Sequence, residues 1–248
     1  MIELVEFYDN WLAKLEVNPE EYYRPDGVYH ASGAGLCIKK IIGQSLGFNT
    51  SKKDKESLRF LRLGKLIGED FQKAVAAMII EDPAIELLIE ETFEDTELNI
   101  KGRIDIGIHH LDDYSIDILD TKAIKDYQYG LKLGTNKKMQ KKGYSKSTNY
   151  EQQLGTYGLM SNNTYDIKNG IDLALVYYNR DTSAVAQIPV DPEWIEDARD
   201  YWRDVNVHAN GINNETNWNK ILPKGVLGCP QYKWECNSKY CVLHDKCL

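Results

Sequence analysis

Residues 102–125, GRIDIGIHHLDDYSIDILDTKAIK, constrain the fold more than any other stretch of the chain. Two isoleucine-rich segments with period-two alternation flank the turn-forming pair Asp112–Asp113, which predicts an antiparallel hairpin. A turn centred between 112 and 113 pairs residues whose numbers sum to 225, so Asp105 falls opposite Asp120. Opposed residues share a face with β-carbons about 4.5–5.5 Å apart, and like charges at that spacing repel. Lys122, two residues on, shares the face of Asp120. Such a pair of carboxylates becomes sensible when a divalent cation sits between them. Hard oxygen ligands suit Mg²⁺ or Mn²⁺, which keep open positions for water and phosphate oxygens.

The remaining sequence supplies a frame for this hairpin. The first 85 residues read as helical, with "VEFYDNWLAKL", "GAGLCIKKIIGQSLGF" capped by Ser32, and "LRFLRLGKLIGEDFQKAVAAMII". From about 86 the apolar period changes to two, and "ELLIEETFED", "ELNIKGRIDIGIHH" and "YSIDILDTKAI" read as three successive strands. Thr148 and Glu151 suggest a capping box for a helix through "NYEQQLGTYGLM". Gln153 and Tyr157, four apart, share a face of it, where Gln153 can orient Lys122 or a phosphate and Tyr157 can brace Gln153. Two more strands follow, and Asp191-Pro192 opens a last helix. The order predicts an α/β fold on a mixed sheet: a single domain over 1–248, with a helical part at 1–85, a core at 86–210 and a cysteine-rich tail at 211–248.

Composition narrows the class. No run approaches 18 apolar residues, and the start lacks the layout of a signal peptide, so a cytoplasmic protein without membrane contact is expected. A formal charge of −8 argues against coating nucleic acid indiscriminately. Yet Lys122 to Lys146 holds eight lysines against the single acid Asp126. Lys132, Lys137, Lys138, Lys141 and Lys142 are the candidate phosphate contacts; a solvated loop is the bland alternative. Five cysteines stand at 37, 229, 236, 241 and 247, four of them in the last 20 residues. An odd number without an export signal favours metal or cluster ligation over disulfides.

"GRID" at Asp105, "DTK" at Asp120 and Lys122, Gln-x-x-x-Tyr at Gln153 and Tyr157, and "SGAGLCIKK" around Cys37 together resemble the PD-(D/E)XK nuclease superfamily. The resemblance is to its branch of RecB-like, phage-type and CRISPR-associated iron–sulfur exonucleases, and runs from about residue 30 to the C-terminus. It implies a restriction-endonuclease-like core with a mixed sheet. It implies hydrolysis of DNA at single- or double-stranded ends, in recombination or repair. Asp105 and Asp120 would bind Mg²⁺ or Mn²⁺, with Lys122, Gln153 and Tyr157 assisting. A homo-oligomer or a recombination or replication protein would be the partner. The family's metal-binding His on the preceding helix is Gly68 here, which makes Glu69 the candidate third ligand. The resemblance further implies a [4Fe–4S] cluster on Cys37, Cys236, Cys241 and Cys247, leaving Cys229 spare; Zn²⁺ is the alternative occupant. A non-catalytic nucleic-acid-binding or assembly module that keeps the clasp is the alternative function. His109, at a strand end near a turn, reads as structural.

Overall fold

The structure, a computed structural model, describes residues 4–16, 27–48, 54–79, 82–141, 147–212, 241 and 243. The chain divides into two compact units. One unit comprises Met1–Tyr29, Leu36–Leu66 and Val205–Leu248, the other His30–Gly35 and Ile67–Asp204. No helix among the described residues is long and apolar enough to cross a membrane.

The first unit contains α1 (Leu4–Glu16), α2 (Ile38–Ser45) and the first part of α3 (Lys55–Ile79). Asp9 on α1, 4% exposed, accepts two hydrogen bonds from the Arg59 guanidinium, at 2.8 and 2.7 Å. A buried carboxylate needs such a partner, and the planar fork supplies it. Ser32 does not cap α2. It lies in a single 3₁₀ turn (Ala31–Gly33) after the short strand β1 (Tyr29–His30), and Cys37 stands at the N-cap of α2.

The second unit is built on a five-stranded sheet ordered β2-β5-β6-β7-β8. Its strands are β2 (Ile85–Ile89), β5 (Ile106–His110), β6 (Ser115–Ile124), β7 (Ile171–Asn179) and β8 (Val185–Val190). A β3–β4 hairpin, Thr92–Asp95 paired with Ile100–Arg103, belongs to a second, smaller sheet. Each of the first two expected strands is therefore split in two. The breaks fall at Glu90–Glu91, where Glu90 takes φ 54°, and at Ile104–Asp105. Apolar alternation continues through the second break, and at the first the odd positions are apolar on both sides of Glu91, so periodicity alone runs the strands together.

Register follows the predicted sum from Ile106↔Leu119 to His110↔Ser115, across a four-residue turn rather than a two-residue one. Strand β6 then outruns its neighbour. Beyond Leu119 it pairs only with β7, in parallel, as far as Ile124↔Asn179. A parallel neighbour requires a crossover, and α4 (Asp126–Lys132), α5 (Lys137–Lys141) and α6 (Asn149–Thr164) supply it. Within the lysine-rich stretch, Asp126–Lys132 and Lys137–Lys141 are helical. Thr148 makes no side-chain cap, and Glu151 is turned inward instead. The last helix, α7 (Trp194–Ala209), starts after an Asp191 turn whose carboxylate accepts the Glu193 N–H at 3.0 Å.

Helix α6 is buried continuously from Glu151 to Ser161 and packs against β6, β7 and β3. Two glycines let its neighbours approach. A β-carbon on Gly155 would lie 2.1 Å from the Trp194 carbonyl oxygen, and one on Gly102 of β4 would lie 2.9 Å from Tyr157 Cε1. The Trp202 indole, fully buried, donates to Thr156 Oγ1 at 2.9 Å.

Candidate active site at the end of the hairpin

The site forms where β5 stops and β6 continues. Asp105 does not extend the ladder to face Asp120. It bends away one residue before β5, and its Oδ2 accepts both the Thr121 N–H and the Thr121 hydroxyl, each at 2.8 Å. That N–H lies just past the last β5–β6 pair, so the carboxylate takes the place of a missing ladder carbonyl. The Gln72 amide on α3 donates to the Asp105 carbonyl at 3.3 Å and to Glu90 at 2.7 Å. The two strand breaks are thereby held together beside the site.

Asp120 is 1% exposed, and its Oδ2 has the Lys122 ammonium at 2.6 Å with no aligned hydrogen bond. Burial pushes the Asp120 carboxyl up to about 7; Lys122 pulls it down and the charge of Asp105 raises it. Burial opposes the Lys122 ammonium, but Asp120 and then Asp105 outweigh burial and hold its pKa above the ordinary lysine value. From α6, Gln153 Oε1 accepts from Lys122 at 3.3 Å, and Gln153 Nε2 donates to the Tyr157 hydroxyl at 2.7 Å. Burial raises the Tyr157 phenol, which stays protonated. Asp105, Asp120, Lys122, Gln153 and Tyr157 thus form one connected group.

Two carboxylates held under mutual repulsion, one of them buried, form a hard donor set that fits Mg²⁺ or Mn²⁺, ions that keep several waters. Among the described residues no three His, Cys, Asp or Glu side chains gather into a group able to hold a metal. Glu69 therefore does not complete a triad. Successive helical residues point about 100° apart, and it is Gly68 that is buried toward the hairpin, its β-carbon position 3.3 Å from Thr121 Oγ1.

Lys132 is also turned inward, at 9% exposure. It donates to the Ser147 carbonyl and pairs with the buried Glu151 at 3.3 Å, so it is no surface contact for phosphate. Lys137, Lys138 and Lys141 are exposed on α5, and Lys142 lies outside the described residues. His109 is buried, hydrogen-bonded to the directly opposed Glu86 at 2.9 Å and packed on Tyr165. Of the cysteines, Cys37 and Cys241 are half-buried thiols, whereas Cys229, Cys236 and Cys247 lie outside the described residues. Leu243, two residues past Cys241, is fully buried against α2: a β-carbon on Gly43 would lie 2.8 Å from its Cδ1.

Sequence reasoning missed Thr121, Gln72, Tyr150 and the Lys132–Glu151 pair. Tyr150 had a legible signal, since 150, 153 and 157 share one face of a helix. The others depend on contacts between distant elements.

No family model matches the chain, and no curated protein matches it. Among solved structures, one described as SSO0001 matches with a TM-score of 0.52 at 15% identity, covering 96% of this chain and 92% of that one. The match extends over nearly the whole of both chains. The fold is restriction-endonuclease-like. In this chain Asp105 and Asp120 lie where β5 gives out, and Lys122 follows on the longer strand β6. Weaker likenesses are to an alkaline exonuclease (LHK-Exo) from Laribacter hongkongensis, TM-score 0.43 at 13% identity over 77% of this chain and 92% of that one. A phage related exonuclease from Haemophilus somnus 129PT gives 0.40 at 16% identity over 70% and 79%.

Proposed function

We propose that the protein is a metal-dependent nuclease that hydrolyses phosphodiester bonds of DNA, working from strand ends. The observation that carries this reading is the position of the Lys122 ammonium, in contact with both the Asp120 carboxylate and the Gln153 amide. Mg²⁺ or Mn²⁺ on Asp105 and Asp120 would supply Lewis acidity toward the phosphate and an acidified water. The chain's own groups do the rest. Thr121 fixes Asp105, Asp120 and Gln153 aim the ammonium of Lys122, and that ammonium balances charge that grows on the phosphate oxygens during attack. The exposed Lys137, Lys138 and Lys141 hold the DNA backbone without reading its sequence.

The cysteines complete the reading as a structural clasp. Cys37 and Cys241 belong to the same compact unit, and Leu243, two residues past Cys241, packs on Gly43 of the helix at whose N-cap position Cys37 stands. With Cys236 and Cys247 they supply four thiolates for a [4Fe–4S] cluster, or for zinc. Iron, sulfide and zinc analysis of anaerobically purified protein separates the two occupants.

The deciding experiment is digestion of end-labelled linear single- and double-stranded DNA with Mg²⁺, Mn²⁺ or EDTA, beside Asp120→Ala. Shortening from the ends that needs metal and is lost in the variant supports the reading. A folded protein that binds DNA without cutting it rejects it in favour of a binding module.

A further inference from the structure

Behind Lys122 lies a group that the nuclease reading does not use. Tyr150 is the second residue of α6, and its ring centroid is 5.1 Å from the Lys122 ammonium. The same ring is 4.6 Å from the ammonium of Lys132, whose buried ion pair is with Glu151, the residue next to Tyr150. Tyr177 stands beside Lys122 on the neighbouring strand, its ring 6.5 Å from that of Tyr150 and 5.9 Å from Lys132. Tyr150 is therefore wedged between two cations and a second ring, and the Lys132–Glu151 pair anchors its helix turn.

We propose that Tyr150 is the positioning residue for Lys122: its ring face holds the ammonium against Asp120 and Gln153. The assignment rests on the nuclease reading for its consequence but not for its geometry. A lysine head sits on a flexible four-carbon stem, and two polar partners leave it free to swing away from them. A ring face attracts the cation through its quadrupole while offering no acceptor that would take a proton or compete with a phosphate oxygen. Lys132 on the same ring keeps the tyrosine from following Lys122 when substrate pulls on it.

The test replaces residue 150 with phenylalanines of increasing fluorination, which withdraw the ring's negative face at nearly constant shape, beside Tyr150→Phe and Tyr150→Leu. Tyr150→Phe should lose about two-fold in kcat, whereas the fluorinated series should fall stepwise to about ten-fold, with KM unchanged. In parallel, acylation of Lys122 is followed by peptide mass spectrometry with exposed Lys137 as internal control. Labelling of Lys122 relative to Lys137 should quicken along the same series and in Tyr150→Leu. Flat kcat with flat labelling overturns the proposal, as does Tyr150→Phe losing as much as Tyr150→Leu. If the unaltered protein cuts no DNA, the nuclease reading fails, and the labelling series decides the role of Tyr150 alone.

Discussion

One carboxylate oxygen of Asp105 receives two hydrogen bonds from Thr121, N–H and hydroxyl both at 2.8 Å. The charge of the same carboxylate raises the Asp120 carboxyl. Thr121→Val keeps shape and backbone but deletes the hydroxyl. Loss of a hydrogen bond to a charged group costs about 1.5–3 kcal/mol. The expected result is a lower melting temperature and a higher Mn²⁺ requirement, read by thermal unfolding and by metal titration of cleavage.

Titration of Asp120 sets a pH dependence. Its carboxyl rises from 3.8 in a free chain to about 7 in the fold. The folded state therefore holds a proton that the unfolded state releases. Stability without metal is full below about 4 and falls as pH rises towards 7, by at most about 4 kcal/mol. Lys122 shifts upward, so its contribution is lost only above the ordinary lysine range. Thermal unfolding in EDTA at pH 5, 6, 7 and 8 should show the decline. Added Mg²⁺ should stabilise more at pH 8 than at pH 5, because the proton and the cation compete for Asp120.

Two glycine substitutions should have opposite signs. Gly155→Ala drives a β-carbon into the Trp194 carbonyl, which is main chain and cannot rotate away. Overpacking of this kind costs about 1–3 kcal/mol or more, and it shifts Gln153 and Tyr157 with their helix. Gly64→Ala, in the interior of α3 with nothing within 4 Å of the new carbon, should stabilise by up to about 1 kcal/mol. Denaturant unfolding of both variants checks the pair.

The lysines of the crossover should separate into two classes. Lys132→Met removes the buried Lys132–Glu151 ion pair and should destabilise by about 3–5 kcal/mol. Lys137→Ala, Lys138→Ala and Lys141→Ala should leave melting unchanged. Each should lower DNA affinity and reduce the slope of log K against log salt by about 1. Filter binding at several salt concentrations with a catalytically silent Asp120→Ala background gives the slopes.

The hairpin was legible because its register depends on one turn and its faces on one period, both local. Asp120 and Lys122 could be placed from those alone, and Gln153 with Tyr157 from helical spacing; Asp105 could not, because it leaves the ladder one residue before β5 and turns its carboxylate to Thr121. What escaped was set by distant partners. The breaks at Glu90 and Asp105 depend on the Gln72 amide reaching from α3. Lys132 looks like its exposed neighbours in sequence, and only Glu151 marks it as interior. Glu69 was the natural substitute for a missing histidine in one dimension, but the helix turns Gly68 toward Thr121.

The carboxylate that takes the Thr121 N–H of β6 where β5 stops also bears on aggregation. Where β5 stops, the longer strand would otherwise present a naked peptide N–H to the surroundings, a template on which a stray chain can nucleate a cross-strand ladder. Asp105 occupies that donor with a charged side chain. The acid proposed to hold a cation therefore also bars a foreign strand, and its replacement by a neutral residue would unguard the sheet.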